Sequence, residues 1–183
     1  KHFNQENSNT VHGYFPFLEN DPSFKEFYDM ARPLSDISKW EKGGCPLYEE
    51  QRWLDDSGNA CGENYSNLKL EWVHKKFTQH FSSMHKLALQ LISCLAVGLG
   101  KRADYFDSWF KEECSSVFRA IHYNPRGEQQ GNRLVTPEHA DSGFITLLST
   151  FEYPGLQVLI GDEYMDIKPA PNSIVVNIGD TLE

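Results

Sequence analysis

After Cys114 the chain falls into one repeating texture, and that texture limits the folds open to it. Five short runs rich in β-branched and aliphatic residues, at 116–123, 143–151, 156–160, 164–167 and 173–178, are divided by turn-forming stretches. Tyr153-Pro154-Gly155, Gly161-Asp162 and residues 169–172 supply three of those turns. Strands this short at this even spacing predict an antiparallel sandwich or jelly-roll barrel rather than a parallel sheet with crossover helices. Within the first run Val117, Arg119, Ile121 and Tyr123 share one face.

The preceding half reads differently. From 68 to 99, Val73, Phe77, Phe81, Met84, Ala88, Leu91, Leu95 and Leu99 recur every three or four residues, and Gly98 and Gly100 supply a stop. That spacing predicts a long amphipathic helix, with a second short helix over 104–110. Asp21-Pro22 ahead of Phe24, Phe27, Tyr28 and Ala31 predicts a short capped helix ending before Pro33. Residues 12–17 read as extended, and residues 35–67, broken by Gly and Pro, as a long irregular cover. The fold class is therefore α+β, with a helical and irregular region over 1–115 packed on a β core over 116–183, one domain overall.

Composition narrows the function. At 183 residues, with 39% hydrophobic and 23% charged side chains, the chain has enough apolar material for one core. A net charge of −9 without clustered Lys and Arg argues against nucleic-acid binding, and no apolar run approaches a membrane span. Cys45, Cys61, Cys94 and Cys114 form no Cys-x-x-Cys pair and read as free thiols of a reducing compartment. With no basic-then-apolar leader after Lys1, a cytoplasmic protein is expected. The absence of an initiating Met and the stop at Glu183 directly after an apolar strand suggest a piece of a longer chain.

The chemistry-bearing residues stand at the mouth of the second strand run. His139-Ala140-Asp141 puts an imidazole and a carboxylate one residue apart, so that both can address one pocket where the backbone turns at a strand end. An imidazole nitrogen and a carboxylate oxygen are two of the three ligands of the facial triad that leaves open positions on Fe(II). His74, His80 and His85 lie five or six residues apart on the long helix, without the His-Glu-x-x-His spacing of a zinc site, and no metal role is expected for them.

Four segments carry a family resemblance: His139-x-Asp141, Gly143-Phe144-Ile145-Thr146-Leu147-Leu148, Pro154-Gly155-Leu156-Gln157-Val158, and residues 174–183. In order and spacing they resemble the plant- and fungal-type 2-oxoglutarate and Fe(II)-dependent dioxygenases, the group that includes isopenicillin N synthase. The resemblance implies a double-stranded β-helix (jelly-roll) barrel, incomplete in this chain. It further implies Fe(II) held by His139 and Asp141, 2-oxoglutarate as co-substrate contacted by Tyr123, and O₂-dependent hydroxylation of a small organic substrate. Asn124 stands where the family often has a second tyrosine. No histidine follows His139 and no Arg-x-Ser follows it, so the chain as given lacks the triad's third ligand and is expected to be inactive. A synthase-like oxidase that needs no 2-oxoglutarate, and a non-catalytic jelly-roll binding module, are the alternatives. By the same resemblance, Gly155 and Gly179 are turn residues rather than chemical ones.

Overall fold

The structure, a computed structural model, describes residues 12–17, 25–32, 70–110, 114–125 and 136–182. The segment expected to be irregular, 35–67, lies outside them, as do Cys45 and Cys61. The chain divides into two compact units, 1–137 and 138–183.

The first unit is built on a three-stranded antiparallel sheet of order β1 (Gly13–Phe15), β2 (Lys25–Ala31) and β3 (Val117–Tyr123). The helix expected up to Ala31 is thus a strand. Phe24, Phe27, Tyr28 and Ala31 have helical spacing, but Glu26, Tyr28 and Met30 also alternate with Phe27, Asp29 and Ala31, and the pairing with β3 selects that second period. The ladder runs from Lys25 opposite Tyr123 to Ala31 opposite Val117. On one face Phe15 stacks on Phe27 with ring centroids 4.5 Å apart, and the Arg119 guanidinium lies 4.1 Å from the Phe27 ring centre.

The other face meets α1 (Leu70–Gly98), the helix that the periodicity predicts. Phe77 contacts Tyr28 and Phe118 edge-to-face at 6.1 and 5.5 Å, and His80 contacts Phe118 at 5.2 Å. Met30, Phe81, Ile92 and Ala96 are buried, whereas Leu99 stands outside the helix and is exposed. Gly100, with φ of 70°, ends α1: its N–H bonds to the Val97 carbonyl and that of Lys101 to Ala96, the double closure of a Schellman turn. Only 107–110 of the short second helix is α-helical, as α2 (Asp107–Phe110). Cys94 and Cys114 are free thiols.

The second unit holds two antiparallel pairs. β4 (Ile145–Leu148) pairs with β7 (Val175–Ile178), and β5 (Leu156–Ile160) with β6 (Glu163–Ile167). The β5–β6 hairpin turns through Gly161-Asp162 with Gly161 at φ of 63°, the type II′ geometry that matches strand twist. The four strand runs expected in this unit are all present: 156–160 has its expected bounds, β4 and β7 are shorter by two to five residues, and β6 is longer by one. Among the described residues they do not close into a barrel.

Candidate metal centre

His139 and Asp141 lie in the short irregular stretch that leads into β4. Their side chains converge: His139 Nε2 stands 3.6 Å from Asp141 Oδ1. Two donors that each bind one first-row metal ion at about 2.1 Å are about 3 Å apart at a right angle, so a movement of a few tenths of an ångström would let both reach one ion. The imidazole is more than half exposed and the carboxylate about one quarter, which leaves an open side for further ligands. In donor type and spacing the pair fits two positions of an iron triad. Among the described residues no third His, Cys, Asp or Glu joins them.

The backbone beneath the pair is fixed by the turn that follows β7. Asp180 N–H donates to the Asp141 carbonyl at 2.9 Å, Gly179 N–H to Phe144 at 3.1 Å, and Thr181 N–H to Gly143 at 3.2 Å. Thr181 Oγ1 adds a bond to the Ser142 carbonyl at 3.2 Å. Gly179 is buried because the two segments touch there: a Cβ at this position would sit 2.3 Å from the Gly143 carbonyl oxygen and 2.8 Å from that of Asp141. Glycine is required at 179 by space, since its φ is not in the left-handed region, whereas Gly155, with φ of 122°, is a glycine by conformation. From β6, Tyr164 donates a hydrogen bond to the Glu138 carboxylate, beside His139, and this holds the tyrosine pKa above its ordinary value.

The structure therefore brings His139 and Asp141 together. Tyr123 belongs to the other unit, at the end of β3 opposite Lys25, and is 47% exposed, so its ring is no core filler. Sequence reasoning passed over Thr181 and Tyr164. Their partners are 39 and 26 residues away, and no local pattern announces a contact of that range.

An imidazole and a carboxylate presented from the edge of an antiparallel β scaffold define a candidate non-haem metal protein. Residues 114–183 match the model of the 2OG-Fe(II) oxygenase superfamily. The chain is 34% identical over 132 residues to gibberellin 20 oxidase 2 of Arabidopsis thaliana, a match covering 70% of this chain and 34% of that protein. It is 37% identical over 190 residues to a 1-aminocyclopropane-1-carboxylate oxidase homolog of Solanum lycopersicum, covering 95% and 48%. A full-length Neurospora crassa protein, solved in complex with alpha-KG, superposes with a TM-score of 0.68 at 25% identity, over 93% of this chain and 48% of that one. The chain belongs to the 2OG-Fe(II) oxygenase superfamily. It spans between about a third and a half of the length of these relatives.

Proposed function

We propose that this chain is part of a jelly-roll oxygenase that uses Fe(II), 2-oxoglutarate and O₂ to oxidise, most simply to hydroxylate, a small organic substrate. The observation that carries the reading is the convergence of His139 Nε2 and Asp141 Oδ1 within 3.6 Å at the mouth of β4. In their metal-binding forms the imidazole offers a neutral nitrogen and the carboxylate an anionic oxygen, a donor set suited to Fe(II) with positions left open. Bound there, the iron with 2-oxoglutarate and O₂ supplies the oxidising chemistry, with decarboxylation of the co-substrate to succinate. The protein's own residues hold the ligand pair in register and offer, at Tyr123, a hydroxyl suited to donating to a co-substrate carboxylate.

The test is anaerobic titration of the complete gene product with Fe(II) and 2-oxoglutarate, following the weak visible charge-transfer band of the chelate. The band should appear in the wild type and vanish in Asp141→Ala. Its absence in the wild type would sink the co-substrate assignment, and metal binding retained by Asp141→Ala would remove Asp141 from the ligand set.

A further inference from the structure

We propose that the Gly179-Asp180-Thr181 turn is a positioning device for the metal centre, setting the direction in which Asp141 presents its carboxylate. The inference rests on the reading of His139 and Asp141 as iron ligands.

Asp141, Ser142 and Gly143 belong to no strand, so no ladder of hydrogen bonds fixes their φ and ψ. What fixes them is the turn after β7. Consecutive carbonyls at 141, 142, 143 and 144 are each taken by a donor from Gly179, Asp180 or Thr181, at 2.9 to 3.2 Å. The register of these bonds is set by the β4–β7 ladder, which ends with Ile145 opposite Ile178. Through these turn bonds the Asp141 backbone is placed from the end of β7, a strand more than thirty positions further along the chain.

Contact at Gly179 makes this placement close. With the Gly143 and Asp141 oxygens 2.3 and 2.8 Å from where a Cβ would stand, both obstacles are backbone, and neither can swing aside as a side-chain tip would. Any side chain at 179 must push the 141–143 segment away. A displacement of that kind carries the Asp141 carboxylate with it and opens the distance to His139. Thr181 is the gentler handle. Its hydroxyl holds the Ser142 carbonyl, one residue beyond the ligand, and the side chain is exposed, so its loss costs little packing. Groups that orient ligands without touching the metal typically hold about ten- to a hundredfold in metal affinity.

The experiment uses Co(II) as a spectroscopic stand-in, titrated into the complete gene product, with thermal melting run beside it. Wild type should give the ligand-field bands of bound Co(II), and Asp141→Ala should lose them. Thr181→Ala should weaken Co(II) binding several-fold with an almost unchanged melting temperature, and Thr181→Ser, which keeps the hydroxyl, should restore it. Gly179→Ala should weaken binding by tenfold or more, with altered band positions. If Thr181→Ala binds Co(II) as the wild type does while Asp141→Ala does not, the positioning role is overturned and the ligand reading survives. A deficit that Thr181→Ser fails to restore overturns it as well. Should wild type show no Co(II) bands, the ligand reading and this inference fall together. A Gly179→Ala protein that fails to fold leaves the decision to the two Thr181 variants.

Discussion

Arg119 grips Asp29 with two parallel hydrogen bonds across the β2–β3 ladder, Nε to Oδ1 and a terminal nitrogen to Oδ2, each 2.7 Å. The carboxylate is 3% exposed and the guanidinium 47%. Burying Asp29 is tolerable because the fork meets both oxygens, and the Arg119 pKa is raised by the same hydrogen bonds. Replacing Arg119 with Met removes both bonds of the fork from the buried carboxylate and the guanidinium from the Phe27 ring. We expect a loss of about 1–3 kcal/mol, below the roughly 3–5 kcal/mol for breaking a fully buried pair because Arg119 is half exposed. Urea denaturation measures it, and a loss below about 0.5 kcal/mol would mean that Asp29 is satisfied elsewhere.

A second network on the opposite face gives the sheet a pH dependence. The Glu26 carboxylate accepts from Tyr14 at 2.5 Å and from Nδ1 of His122 at 2.8 Å. Those bonds, Tyr14 first, pull the Glu26 pKa below its ordinary 4.5, while burial and then Glu26 push Tyr14 up to about 12. For a depressed carboxyl, stabilisation is complete above the unfolded value and is lost as pH falls through the folded one. For the raised tyrosine it is complete below 10.0 and is lost as pH climbs through about 12. Urea midpoints against pH should therefore fall below about 4.5 and above about 10, the ordinary values for these groups. Glu26→Gln should shallow both limbs, and a profile unchanged by that substitution would refute the assignment.

His85 adds a separate acid-side term. Its Nε2 is buried with no hydrogen-bond partner among the described residues, its ring stacks on Phe81 at 6.0 Å, and burial, with Arg32 nearby, lowers its pKa from 6.5. A histidine depressed in the folded state costs stability only below the unfolded value, as the unfolded chain takes up the proton first. Stability should begin to drop as pH falls through 6.5, well before Glu26 contributes. His85→Leu should remove this early drop and leave the Glu26 limb in place. If the drop between pH 6.5 and 4.5 persists in that variant, another group causes it.

How far the sequence reached depends on how local each cause is. The α1 stripe and the β5–β6 hairpin are written in neighbouring residues, by three-and-four spacing and by a glycine at 161, and both are legible before folding. β2 is not, because its seven residues satisfy both periods and only β3, some 90 positions away, decides between them. The candidate ligand pair shows the same division. His139 and Asp141 stand one residue apart and announce themselves, whereas the Thr181 and Tyr164 contacts that brace their loop arise only once β7 and β6 have folded back. Gly179 was visible as a turn glycine, but its physical reason, a carbonyl 2.3 Å from a would-be Cβ, is a tertiary fact.

Tyr123 offers the sharpest division between the co-substrate reading and a structural one. It closes β3 opposite Lys25, and its ring is half exposed. A tyrosine in that setting contributes little to packing, so Tyr123→Phe should leave the urea midpoint unchanged. If its hydroxyl donates to a 2-oxoglutarate carboxylate, the lost charge-assisted bond, worth about 1.5–3 kcal/mol, raises the co-substrate Kd by roughly ten- to a hundredfold. The measurement is 2-oxoglutarate titration of the Fe(II) form under anaerobic conditions, with Co(II) affinity as the control for the metal site. An unchanged 2-oxoglutarate Kd beside an unchanged midpoint would remove Tyr123 from the binding set. A shifted midpoint with an unchanged Kd would assign the hydroxyl a structural hydrogen bond in place of a co-substrate contact.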